Sequence, residues 1–152
     1  MKYRVHIRSE VLGASGRGLG AAARAALALA KAGPSELTIV LTDGRRMRRL
    51  NARYAGVDAA TDVLAFYDGE IRSRSGSTYL GDVVISLPRA RAQARRRGVA
   101  LPEELNLLTV HGTLHLVGYD HGRPSDRRRM WRLQSRALRR LGLDPEELGV
   151  GS

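Results

Sequence analysis

The sequence predicts an α+β fold: a small mixed sheet covered by helices, built from 152 residues read as one domain, 1–152. Three observations predict it. Short runs that alternate apolar and polar residues, or are apolar throughout, dominate the first half, as strands do. Longer segments with helical spacing fill the second half, opened by proline and closed by glycine. Between positions 62 and 87, two strand-like runs flank a polar, glycine-bearing stretch, the pattern of an antiparallel pair.

The elements follow in order. Tyr3, Val5 and Ile7 alternate with polar residues, which predicts a half-buried strand; His6, alternating with them, reads as structural. The alanine- and leucine-rich stretch Leu19–Ala32 predicts a helix ended by Gly33-Pro34. Leu37–Leu41 predicts a short buried strand. Asp43 is placed to cap a helix reaching about Tyr54, with Met47 and Leu50 facing the core and arginines facing out. Val57–Thr61 reads as a loop and Asp62–Tyr67 as a strand. Asp68–Ser77 reads as a turn or flexible loop. Tyr79–Leu87 reads as the partner strand, with Val83 and Ile85 on one face.

Pro88 suits the first position of a helix running to Arg97 and ended by Gly98. Pro102 does the same for a helix from Leu101 to about Val117, whose Leu105, Leu108, Leu114 and Leu116 are expected to pack on the sheet. Ser125 or Asp126 is placed to cap a last helix, Arg127–Leu141, closed by Gly142. No internal repeat or linker interrupts the chain.

Cysteine is absent, so neither disulfides nor thiolate metal sites are possible, and any metal must be held by histidine, carboxylate or water. The apolar stretch from Leu19 to Ala30 is broken by Arg24 and too short to span a bilayer, and nothing resembles a secretory leader. A cytoplasmic location is expected, with no membrane partner. Lysine and arginine number 26 against 15 acidic residues, and 24 of the 26 are arginine. A planar, permanently charged donor fork matches phosphate, which points to a nucleic-acid partner. The basic runs Arg89-Arg91-Arg95-Arg96-Arg97 and Arg127-Arg128-Arg129-Arg132 are placed to follow its backbone. The same runs also fit solvated helix faces. Seven aromatic residues in the whole chain make base stacking a minor theme.

Three of the four histidines fall in His111-Gly-Thr-Leu-His115-Leu-Val-Gly-Tyr-Asp-His121. His111 and His115 are four apart on a predicted helix, so both leave one face a turn apart. Gly118 ends the helix and permits the turn that would return His121. The expected metal site therefore lies at a helix end and the turn after it. Three nitrogen ligands with a fourth position for water describe a catalytic zinc site, one ion per chain. The spacing matches that of metzincin proteases, but the position of their general-base glutamate is Gly112, which can neither activate water nor donate a proton.

The same eleven residues resemble the signature of the YbeY family of bacterial ribosomal-RNA maturation endoribonucleases. Leu50-Asn51, Tyr54, Gly56, Asp58 and Thr61-Asp62-Val63-Leu64-Ala65-Phe66 are similar to a second block of that family, and Leu80-Gly81-Asp82-Val83-Val84-Ile85 to its LGD strand. The resemblance runs from Leu50 to His121. It implies a zinc-dependent endoribonuclease with a preference for single strands. It also implies a role in 16S rRNA 3′-end maturation and ribosome quality control, with ribosomal RNA and the ribosome as partners and no DNA. The chain departs from the pattern at Ala55, where the family has an arginine associated with activity, and at Ala60 and Ala65.

Asp120, beside His121, is the candidate to orient a ligand or move a proton; bonding backbone amides in the turn is its alternative role. Asp62 and Asp82 are candidates for the border of a substrate cleft, with structural roles at strand ends as the alternative. Arg53 is the nearest arginine to fill the role missing at Ala55, but two positions along a helix point it about 200° away, and arginines from other elements compete. Two other functions compete: a ribosome-associated assembly factor whose zinc is structural, and a zinc hydrolase of another substrate class. Missing glutamate and high positive charge weigh against the second.

Overall fold

A computed structural model describes residues 2–45, 47–49, 63–72, 76–119 and 124–150. Its elements are β1 (Tyr3–Ser9), α1 (Leu19–Leu29), β2 (Ser35–Thr42), β3 (Val63–Arg72), β4 (Thr78–Ser86), α2 (Leu87–Arg97), α3 (Leu101–Leu116) and α4 (Pro124–Arg140). The sheet runs β1-β2-β4-β3; β1, β2 and β4 are parallel and β3 pairs antiparallel with β4. The sheet is therefore mixed, as expected.

Alternation fixes which face of the sheet meets the helices. Leu37, Ile39 and Leu41 of β2 register with Gly81, Val83 and Ile85 of β4. The apolar members of this row are fully buried against Leu19, Ala23 and Leu27 of α1 and Leu105, Leu108 and Leu116 of α3. The opposite face carries Glu36, Thr38, Val40, Asp82 and Val84; there Met47 packs on Val40 and Val84. Residues 44, 45 and 47–49 are helical, and the Asp43 carboxylate accepts from the Arg45 amide, the N-terminal capping role expected of it. Leu50 and the predicted loop Val57–Thr61 lie outside the described residues.

A second core lies behind α3. Leu107, Val110 and Leu114 meet Ala22, Ala25 and Ala26 of α1 and Met130, Leu133, Ala137 and Leu138 of α4. Thus α3 is the middle layer, buried toward the sheet on one side and toward α4 on the other. Leu114 was expected on the sheet but packs against the helices, because a helix covered on two sides needs two apolar faces.

Among the boundaries that differ from the sequence reading, three have a clear local reason. Helix α1 ends at Leu29, before Gly33-Pro34: Lys31 takes the left-handed conformation (φ 57°), and the Ala32 amide bonds the Leu27 carbonyl to close the helix. Residues 68–72 belong to β3 and not to a loop; pairing with β4 shifts between Tyr67 and Ile71 and then resumes, so ladder bonds outweigh the poor strand propensity of Asp68 and Gly69. Helix α4 starts at Pro124, where proline is favoured in the first turn, and ends at Arg140. By contrast α2 and α3 carry proline in their first turns as expected, and Gly98 closes α2 at φ 72°.

Candidate functional site

The site is built on the last turn and a half of α3. His111 and His115 project from one face, and their Nε2 atoms lie 3.1 Å apart with the rings edge to face at 4.7 Å between centroids. The Nδ1 atom of His111 meets Oε1 of Gln134, a buried residue of α4, at 2.5 Å. Gly112 between the histidines is buried, and the Thr113 hydroxyl bonds back to the Thr109 carbonyl, which locks the turn that carries them.

After Leu116 the helix closes on Gly118. The Gly118 amide bonds the His115 carbonyl and the Tyr119 amide bonds the Leu114 carbonyl, with Gly118 at φ 103°. This is a Schellman closure, which needs a left-handed residue and so favours glycine. This is the turn that the sequence reading places at Gly118. His121 and Asp120 themselves lie outside the described residues, as do Arg53 and Asp62. Among the described residues no group of three histidine, cysteine or acidic side chains converges.

One groove is lined by His115, and a second meets it at the helix end. The larger, about 570 Å³, is lined by His115, Val117 and Gly118 on one side and by Gly33, Ser35, Thr78 and Leu80 on the other. Its floor is thus the starting ends of the parallel strands β2 and β4. A neighbouring groove of about 320 Å³ runs between Ala30 and Ala32 and the residues Tyr119, Asp126 and Arg129. Both share Ala32, Val117 and Gly118, so together they form a path across the helix terminus. Both volumes lie within the ~300–1,000 Å³ usual for small-ligand sites.

Asp82 is not brought to this site. It projects from the sheet face opposite Val83, away from α3, where its Oδ1 accepts from the Tyr79 hydroxyl at 2.7 Å and that hydroxyl meets Thr38 Oγ1 at 2.6 Å. Period-2 alternation decides this, and it puts Asp82 on the other sheet face from the groove beside His115. His6 lies on that same face, its Nε2 2.6 Å from Glu36 Oε2, away from the other histidines.

Sequence reasoning missed Gln134. The signal was present: Met130, Leu133, Ala137 and Leu138 form an apolar stripe at i, i+3, i+7 and i+8, and Gln134 occupies the one polar position within it. It also missed Ser35 and Thr78, which reach the groove through strand order.

The donor set fits a zinc ion. Two imidazole nitrogens bound at 2.0–2.1 Å in a tetrahedral shell stand about 3.3 Å apart, close to the observed 3.1 Å. The C-terminal end of α3, with its excess of carbonyl oxygens, favours positive charge at this place.

A mixed sheet backed by a buried helix, with paired imidazoles at that helix's end facing an open groove, defines an α+β protein with a histidine-based surface site. The sequence model of the Endoribonuclease YbeY family matches residues 17–142. The chain is 46% identical over 122 residues to the Endoribonuclease YbeY of a Roseiflexus species, covering 76% of each chain. It is 48% identical over 117 residues to that of Gloeobacter violaceus, covering 74% of this chain and 60% of the relative. A Thermotoga maritima protein of known solution structure shares the fold, with a TM-score of 0.58 at 20% identity over 91% of each chain. The chain belongs to the Endoribonuclease YbeY family.

Proposed function

We propose that this protein is a zinc-dependent endoribonuclease that cuts single-stranded RNA, acting in the maturation of the 3′ end of 16S rRNA and in ribosome quality control in the cytoplasm. The observation that carries the reading is the pair of imidazole nitrogens at 3.1 Å beside an open groove, in a chain of this family. His111, His115 and His121 would hold the ion. When bound, it supplies Lewis acidity toward a phosphate oxygen and lowers the pKa of water toward neutrality.

The chain's own residues do the rest. The groove lined by Gly33, Ser35, Thr78 and Leu80 gives an extended strand a place to lie beside His115. Arg129, at the end of the path, supplies positive charge to the phosphates. Asp120 is the candidate to orient His121 or move a proton. Gly112 supports a nuclease over a protease, because a peptide hydrolase with this spacing lacks its base.

The test is cleavage of single-stranded RNA by purified protein with and without a chelator, alongside His115→Ala. Cleavage lost in both cases, with about one zinc per chain in protein purified without added metal, supports the reading. Tight RNA binding without cleavage, unchanged in His115→Ala, would replace it with an assembly-factor role. Hydrolysis of casein would point to a protease.

A further inference from the structure

We propose that Gln134 is a positioning residue that fixes the tautomer of His111, holding the proton on Nδ1 and presenting the Nε2 lone pair to the site. The inference rests on the zinc reading of the histidine pair and extends it to a residue on a different helix.

Gln134 is 4% exposed and sits among Met130, Leu133, Ala137 and Leu138, where leucine would fill the space. A buried amide costs free energy unless it is hydrogen-bonded. The Gln134 Oε1 atom faces His111 Nδ1 at 2.5 Å. A carbonyl oxygen only accepts, so the imidazole nitrogen must donate. A neutral imidazole carries one N–H, and with that proton on Nδ1 the other nitrogen is a bare lone pair. That nitrogen is the one 3.1 Å from His115 Nε2. Removing Gln134 takes away the acceptor that holds the proton on Nδ1, and a proton on Nε2 would occupy the direction a cation needs.

The chemistry of the acceptor is also specific. Histidine ligands are often oriented by carboxylates, which raise their basicity but bring a negative charge. Here the acceptor is a neutral amide. It orients the ring without adding negative charge beside a groove proposed to take a polyanion.

The test reads the tautomer directly and needs no activity. Nitrogen-15 spectra of the metal-free protein are recorded at pH about 8.5, roughly two units above the ordinary imidazole pKa of ~6.5. They should show His111 protonated on Nδ1. Gln134→Leu, an apolar replacement of similar size in an apolar stripe, should shift His111 toward the Nε2-protonated form. The same variant should bind zinc roughly 10- to 100-fold more weakly in competition with a chelating dye, with an unchanged or higher melting temperature. Gln134→Glu should keep the Nδ1 proton and hold zinc affinity within a few-fold of wild type. A wild-type His111 protonated on Nε2, or a Gln134→Leu variant with unchanged tautomer and zinc affinity, overturns the proposal. If wild type shows the Nδ1 proton lost in Gln134→Leu yet binds no zinc, the positioning role stands and the zinc reading fails.

Discussion

The Nε2 atoms of His111 and His115 face each other at 3.1 Å across one turn of α3, and a second helix braces the first of them. His111 is braced by Gln134 from α4, and His115 borders a groove whose far wall is the start of β2 and β4. Two helices thus meet at the pair, and the sheet closes the far side of the groove beside it. Between two lone pairs at that distance a proton or a cation relieves the repulsion, and the carbonyl end of the helix adds to the attraction for positive charge.

Gly118 is the hinge of this arrangement. At φ 103° a side chain is strained, yet an added Cβ would meet nothing within 4 Å, so any penalty in Gly118→Ala is backbone strain alone. The expected cost is ~1–2 kcal/mol, read as a lower midpoint in urea with unchanged slope. If His121 returns through this turn as a third ligand, zinc affinity should fall by more than in an equally destabilised variant elsewhere. Equal affinity at equal destabilisation would show that the turn does not position a ligand.

The converse holds at Lys31. It is the one non-glycine with positive φ among the described residues, at 57°, and it closes α1 directly before Ala32 and Gly33 of the groove. The strain of ~1–2 kcal/mol exceeds the ~0.5–1 kcal/mol of extra unfolded-state entropy that glycine brings. Lys31→Gly should therefore stabilise by roughly 0.5–1 kcal/mol, raising the thermal midpoint by a few degrees. A lower midpoint would mean that the lysine side chain contributes more than its backbone costs.

These two turns show what the sequence carried. Gly98, Gly118, Pro88 and Pro102 mark helix ends through their own backbone limits, so α2 and α3 were legible almost to the residue. Lys31 closes a helix against its propensity, and residues 68–72 extend a strand because β4 supplies the ladder; neither is marked by the preference of the residues themselves. The site divides the same way. The spacing of His111 and His115 lies within one helix and could be read directly. Gln134, Ser35 and Thr78 reach the site only through packing of α4 on α3 and strand order. Asp82 lies on the sheet face opposite Val83, where the period-2 alternation of the strand already puts it.

Arg97 and Glu104 tie the start of α3 in place. Glu104 is fully buried in the first helical turn, with Arg97 Nε 3.4 Å from its Oε2, and the Arg97 guanidinium also donates to the Leu148 carbonyl. Removing the arginine leaves a buried carboxylate without that partner. Full loss of a buried pair costs ~3–5 kcal/mol; because Arg97 is partly exposed, Arg97→Ala should cost nearer ~2–3 kcal/mol. Adding Glu104→Gln should restore part of that loss, since the neutral amide needs no counter-charge. A double-mutant cycle by urea denaturation measures the coupling, and strictly additive losses would show that the two side chains do not act as a pair.

Arg129 separates a specific path for RNA from a diffusely basic surface. It is exposed on α4 and lines the second groove with Tyr119, whereas Arg127, two positions earlier, lies over the Trp131 ring at 5.3 Å. If a strand follows the path from Ser35 past His115 to Tyr119, one of its phosphates falls beside Arg129. Arg129→Ala should then weaken binding of a short single-stranded RNA by roughly 3- to 10-fold and reduce the salt dependence of log K by ~0.7, the value for one phosphate contact on a single strand. Arg140 lies eleven positions further along α4, roughly 16 Å away, and serves as the control. Arg140→Ala should leave affinity and slope nearly unchanged in fluorescence anisotropy across a salt series. Equal losses in the two variants would mean that the helix attracts RNA through net charge, with no defined route to the histidines.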